Sequence, residues 1–270
     1  MRFQHILEAI TSKPWMITAE SHRAVRQLVE RAMAGGIEAR EREGYFGPLP
    51  SMTIGQNGIA RIPIIGVLGR GLSGIEKSCG ACSYDDVQTD IIECRSDSRV
   101  TGIVLDIDSP GGSVNGLYEL GDEIMTTAES KPIIAFSAGQ MCSAAYYIAC
   151  CCNGITATVS STGGSIGVIL QLLDDSKAYE MQGLKVETIK SGEMKGTGAP
   201  GTQLTDNQRD YLQGLVDEAS DKFKGLVMRQ RALSDGSFLD GRVFTAETAA
   251  RLGLIDRVVR SASEAEAAAM

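Results

Sequence analysis

Ser143 stands where a strand-like run, Pro132 to Ser137, gives way to an apolar helix-like run, Ser-Ala-Ala-Tyr-Tyr-Ile-Ala over 143–149. Unpaired backbone N–H groups collect at the start of a helix. A serine there can act as a nucleophile beside a site that accepts negative charge, or simply as an N-cap. A second turn able to do chemistry is Ser109-Pro110-Gly111-Gly112, at the end of the buried run Thr101 to Ile107. Two glycines after a strand let backbone N–H groups approach a ligand closely. That reads as an oxyanion hole or as a tight strand-to-helix turn. A serine nucleophile needs a base. The two histidines, His5 and His22, both lie near the N-terminus. A Ser-His-Asp triad in the body of the chain is therefore excluded unless the N-terminal segment folds back or a neighbour supplies the imidazole.

The remaining base is a lysine. A free lysine has a pKa of about 10.4, and burial without a counter-ion lowers it by up to about 3–5 units. From Pro132 to Leu173 no residue carries a formal charge, a shell of the kind such a shift requires. Lys195 lies in a glycine-flanked loop, Lys190-Ser191-Gly192-Glu193-Met194-Lys195-Gly196. An ion pair with Glu193 would raise its pKa and oppose the role, and Lys190 is the competing candidate. A further glycine-rich turn, Thr162-Gly163-Gly164-Ser165, lines a pocket or only turns the chain.

Composition narrows the partners. The chain has 270 residues, 43% apolar, with a formal net charge of −8 and a sequence pI near 4.9. That balance disfavours nucleic acid and anionic membrane surfaces, which need clustered Lys and Arg. Seven cysteines, an odd number with three consecutive at 150–152, argue against a disulfide framework and for a reducing cytosol. Cys79 and Cys82 form a lone CxxC with no second pair or nearby histidine, so neither a metal nor a cofactor is expected. The N-terminus does not read as a signal peptide. Glycines and polar residues break the charge-free run too often for a membrane span.

These site residues need a scaffold. Residues 1–50 read as a helical N-terminal extension and linker, with a helix starting near Thr18 and a stop at Gly35-Gly36. Residues 51–260 read as one α/β domain. Its strands lie at Ala60–Gly69, Thr101–Ile107, Pro132–Ser137, Ile155–Ser160 and Val186–Ile189, with helices between them and a long helix from Asp206 to Arg231. Such alternation predicts a mostly parallel sheet with sites at the C-terminal ends of its strands. Residues 261–270, rich in Ala and Glu, read as a frayed tail.

Taken together, SPGG after a buried strand, SAAYYIA, GSIGV, KSGxxK and DGRVFTAxTAxxLGLID resemble the signal peptide peptidase A (SppA) family over roughly Ala60 to Val259. The resemblance implies a Clp/crotonase-like fold and a Ser-Lys peptidase. It implies Ser143 as nucleophile and Lys195, rather than Lys190, as base. Oxyanion donors would be the N–H groups of Gly111 and Ala144, with Gly112, Gly164 and Ser165 next to the substrate. The absence of the family's usual membrane anchor makes the chain similar to the phage and prophage capsid-protease branch. That branch implies a protein or peptide substrate such as a capsid, portal or scaffold protein, a ring-shaped homo-oligomer, and a place in the host cytoplasm or procapsid. The rival readings are a crotonase-like acyl-CoA enzyme and a non-catalytic assembly or scaffold protein on the same fold. The first would need an acid near the second glycine-rich turn, and Gly163 to Leu173 offers none.

Overall fold

The apolar runs found in the sequence line up side by side. The structure is a computed structural model describing residues 13–33, 50–78 and 80–269. His5, Cys79, Gly35-Gly36 and nearly all of the 44–50 linker lie outside the described residues. In chain order the elements are β1 (Trp15–Ile17), α1 (Ala19–Met33), β2 (Thr53–Ile54), β3 (Ile59–Ile65), β4 (Leu68–Gly69), α2 (Gly74–Ser78), β5 (Cys82–Ser83), α3 (Tyr84–Ser96), β6 (Gly102–Asp108), β7 (Gly111–Ser113) and α4 (Leu117–Ala128). There follow β8 (Ile133–Ser137), β9 (Gln140–Cys142), α5 (Ala144–Cys150), β10 (Gly154–Thr158), β11 (Thr162–Gly164), α6 (Ser176–Met181), α7 (Asp206–Gln230), β12 (Val243–Thr245), α8 (Ala246–Arg251), β13 (Arg257–Val259) and α9 (Ala262–Ala268).

The main sheet has the order β13-β10-β8-β6-β3-β2. Its strands are parallel except for β2, which closes one edge antiparallel. Strands such as Ile-Ile-Ala-Phe-Ser in β8 are buried along their whole length, as a parallel sheet covered on both faces requires. Helices α3 and α4 pack on each other, and α5 packs against α4 and α7. All seven residues of α5 are buried. The one phenol of α5 that is wholly out of solvent, Tyr146, donates its hydroxyl to the Leu254 carbonyl at 2.5 Å. Each fully buried Ile or Leu of this core contributes about 1.5–3 kcal/mol.

Three central strands are each followed at the C-terminal end by a short strand carrying the residues of interest: β7 after β6, β9 after β8 and β11 after β10. These join two small sheets, β1-β7-β4-β5 and β12-β11-β9. A bridge from Ser109 to Met141 ties them together.

Three sequence expectations are corrected. Residues 15–17, read as part of a helical segment, form β1, because Gly111–Ser113 offers them an edge to pair with. Helix α1 does start after Thr18, whose hydroxyl accepts the Ser21 N–H at 3.3 Å. Residues 186–189 form no strand and lie exposed. The C-terminal tail is not frayed within the described residues: α9 lies on β8 and β13 with Ala265 and Ala269 fully buried. There Glu266 pairs with Arg61 at 3.2 Å.

Candidate active site

Ser143 is wholly buried, with φ 56° and ψ −118°. A non-glycine residue in that region is strained by about 1–3 kcal/mol and persists only where its surroundings over-determine it. They do so here. The Ser143 N–H donates to the Gly164 carbonyl at 2.8 Å, and the Ser143 carbonyl accepts the Tyr147 N–H at 2.9 Å. Just before it, β9 pairs in parallel with β11, with Cys142 opposite Gly164. The Cys142 N–H donates to the Ser109 carbonyl at 3.1 Å, and the Ser109 N–H to the Gln140 carbonyl at 2.7 Å. By position Ser143 is the N-cap of α5, but its side chain makes no capping bond. The Oγ has no hydrogen-bond partner among the described residues. A buried hydroxyl without a partner costs about 1–3 kcal/mol.

Gly111 forms the adjoining wall, with φ 104°. A Cβ built on it would stand 2.9 Å from Ser143 Cβ, 3.0 Å from the Ala144 nitrogen and 2.2 Å from the Met16 carbonyl oxygen. No side chain fits there. The serine, the first N–H of its helix and the Gly111 backbone therefore meet at one point. The Gly111 N–H itself donates to Ser109 Oγ at 3.1 Å, in a fully buried pair. Gly112 pairs with Met16 on one side and Leu68 on the other. Gly164 ends β11 and Ser165 opens a second strained turn, at φ 52° with its N–H on the Arg242 carbonyl at 2.8 Å.

Lys195 is not in this cluster. It lies exposed in the loop that follows residue 189, and Ser143 Oγ receives no bond from it. The feared pairing with Glu193 is also absent among the described residues: Glu193 Oε1 accepts the Asn207 side-chain amide at 2.8 Å. Lys190 Nζ donates to the Glu193 carbonyl at 2.8 Å. The N-terminal segment does fold back onto the body. Its His22 is buried edge-on to Trp15, ring centroids 6.1 Å apart, and it does not bond Ser143 Oγ. Burial pushes the Cys142 thiol up to about 11 and the Cys150 thiol up to about 12. Only a thiolate is a competent sulfur nucleophile, so these neighbours stay inert at neutral pH. Among the described residues no His, Cys, Asp and Glu cluster could hold a metal ion, and no helix is long and apolar enough to cross a membrane.

A profile of Peptidase family S49 matches residues 126–270, more than half of the chain and all of the Ser143 elbow. The chain belongs to Peptidase family S49. Among its curated relatives is capsid assembly protease C of Escherichia phage lambda, 32% identical over 207 residues, which are 76% of this chain and 47% of that protein. Another is a putative signal peptide peptidase SppA of Enterococcus faecium, 30% identical over 65% of this chain and 52% of its own length. The chain spans about half the length of the curated relatives it matches. Among solved structures, an enoyl-CoA hydratase/isomerase family member aligns over 81% of this chain and 72% of its own, at 18% identity and a TM-score of 0.44. A membrane-bound stomatin-specific protease with a substrate peptide aligns over 76% and 77%, at 15% identity and a TM-score of 0.38.

Two residues of this cluster carried no signal in the sequence. Ser109 opens the SPGG motif, but only the fold shows its hydroxyl turned onto Gly111 N–H. Met16 carried no signal at all: its three-residue strand is defined by the edge it meets.

Proposed function

We propose that the chain is a serine endopeptidase of phage or prophage capsid assembly, with Ser143 as nucleophile and Lys195 as base. The observation that carries this reading is Ser143, its backbone strained and its buried hydroxyl unpartnered among the described residues, set against Gly111 and the Ala144 N–H. Family membership and the lambda capsid assembly protease support it. In the reaction, a neutral Lys195 takes the Oγ proton as Ser143 attacks the scissile carbonyl. The Ala144 N–H, and the Gly111 N–H once released from Ser109, receive the oxyanion. The lysine then protonates the leaving amine, and water hydrolyses the acyl-enzyme. The substrate is a capsid, portal or scaffold protein, cut in the host cytoplasm or procapsid.

The separation of Lys195 from Ser143 favours an assembly in which one copy supplies the lysine to its neighbour's serine. The arm that carries Lys195 exposes Leu173, Met181, Leu184, Val186, Ile189 and Met194, an apolar surface suited to contact between copies. The test is cleavage of an unstructured protein by the full chain, together with labelling by a serine-directed phosphonate. Cleavage lost in Ser143→Ala and a label on Ser143 are the expected results. Undiminished cleavage by Ser143→Ala, or a label on another serine, overturns the assignment.

A further inference from the structure

Strand β1 runs along the edge of β7 with Ile17, Met16 and Trp15 opposite Gly111, Gly112 and Ser113, antiparallel. The pairing extends beyond the strand at both ends: the Thr18 N–H donates to the Pro110 carbonyl at 3.1 Å, and the Val114 N–H to the Pro14 carbonyl at 3.5 Å. On its other side β1 meets the segment leaving the Gly164-Ser165 turn. There Trp15 and Ile169 exchange both backbone bonds, at 2.8 and 2.9 Å. β1 is thus inserted between two backbone edges, and both edges lead directly to Ser143. The Met16 carbonyl oxygen crowds the same face of Gly111 as Ser143 Cβ and the Ala144 nitrogen.

An extended peptide cut by Ser143 has to do what β1 does. It must give its backbone to exposed edges, bury alternate side chains, and bring a carbonyl to the serine. β1 meets each requirement. Met16 enters the main core, while Trp15 and Ile17 face the other way into a small cluster with Val25, Val67 and Ile169. All three side chains are buried.

We infer that Trp15-Met16-Ile17 is a built-in pseudosubstrate. It occupies the groove in which Ser143 acts on extended apolar peptide, and it holds the enzyme off until it is displaced. This rests on reading Ser143 as a peptidase nucleophile. It sets the Met16 carbonyl against the same face of Gly111 as Ser143, itself wholly buried. It also defines the substrate class: an extended segment with one apolar residue pointing into the core and apolar neighbours on either side pointing away. A strand that closes the groove nine-tenths of the time or more reduces the apparent affinity for substrate by about tenfold or more.

The test is the full chain carrying Trp15→Cys and Ile169→Cys. A bonded antiparallel pair has Cα atoms about 5.5 Å apart, within disulfide range. Oxidation pins β1 in the groove and reduction frees it, and the unaltered chain oxidised and reduced in parallel reads the contribution of the native thiols. The expected result is cleavage and phosphonate labelling of Ser143 at least about tenfold slower in the oxidised form, restored by dithiothreitol. In parallel, Met16→Asp, which puts a charge at a fully buried position of β1, should cleave faster than the unaltered chain with a lower KM. Equal rates for the oxidised and reduced forms, with Ser143 labelled in both, overturn the pseudosubstrate and leave the peptidase standing. Absence of any Ser143 labelling in the unaltered and the reduced chains overturns the peptidase reading and the pseudosubstrate with it.

Discussion

Ser143 and Lys195 sit in regions built in opposite ways. Every residue from Ala144 to Cys150 is buried, and β9 is paired on both sides before the serine is reached. The lysine comes from a stretch in which nearly every residue from Gln182 to Gly196 is exposed and Ile189 is entirely so. The packed core fixes where Ser143, the proposed nucleophile, stands. Among the described residues no side chain bonds the Lys195 amine, and its loop is tied to α7 only through Glu193. A strained backbone survives only inside packing that over-determines it, so the elbow belongs in the core. If Lys195 is the base for a neighbouring copy's serine, as proposed, an exposed arm is where it has to be.

The largest effects test that division directly. Ser143→Ala and Lys195→Ala should each lower kcat/KM by about 10³-fold or more. Neither should lower the melting temperature: one removes a buried hydroxyl without a partner, the other an exposed side chain. Mixing the two inactive variants should then restore cleavage, because a Lys195→Ala copy keeps its serine and a Ser143→Ala copy keeps its lysine. Recovery is read as cleavage rate against mixing ratio. No recovery, with both singles inactive, would place the whole dyad within one chain.

Next in size is the glycine wall beside Ser143. Gly111→Ala puts a methyl 2.2 Å from the Met16 carbonyl and 3.0 Å from the Ala144 nitrogen, at a positive φ. Activity should fall by about a hundredfold, the cost of one misplaced oxyanion donor. Thermal unfolding should show a loss of about 1–3 kcal/mol from strain. Ser109→Ala, which removes only the acceptor of the Gly111 N–H, should change activity far less. A Ser109→Ala effect as large as that of Gly111→Ala would mean that the serine hydroxyl, not the glycine backbone, organises the wall.

The two regions also differ in how well they can be read from sequence. The parallel sheet was legible because its strands are continuous apolar runs bounded by glycine and proline, as in Thr101–Ile107 and Pro132–Ser137. The candidate nucleophile and its glycine wall were legible because each lies within a few residues of the C-terminal end of such a run. The two-residue and three-residue strands were not legible. β9 and β11 exist because they pair with each other, and β1 exists because β7 offers it an edge. A local pattern of three residues cannot announce a partner more than ninety residues away. The tail misled for a related reason: Ala-rich composition looks frayed until the sheet face that buries Ala265 and Ala269 is present.

A smaller effect separates Ser143 from its neighbour. Cys142→Ala should keep cleavage within a few-fold, at a stability cost of about 1 kcal/mol for the small cavity. Thiol-directed reagents should leave the native enzyme active at neutral pH, since burial holds this thiol protonated up to about 11. Rapid inactivation tracking alkylation of Cys142 would shift the chemistry from oxygen to sulfur.

The smallest effect lies where the long helix joins the core. Arg231, just past α7, pairs with Asp256 at 2.5 Å, and Asp256 also accepts the Ile155 N–H of β10 at 2.7 Å. Burial alone would raise the Asp256 pKa; the Arg231 and Ile155 hydrogen bonds outweigh it and hold the carboxyl below its ordinary value. A lowered folded-state pKa contributes stability that is present above the unfolded value of about 3.9 and lost as pH falls through the folded one. The unaltered chain should therefore lose more melting temperature between pH 6 and pH 3 than Asp256→Asn does. At neutral pH the variant should cost about 1 kcal/mol or less, because the carboxylate is half exposed and the pair is screened. The same α7 holds the Lys195 loop at its other end, where Gln208 donates to the Glu193 carbonyl at 3.1 Å. If Asp256→Asn lowered cleavage at pH 7 more than a few-fold with the fold intact, the arm's position would depend on this chain's own core. The contrast between the two regions would then be one of degree.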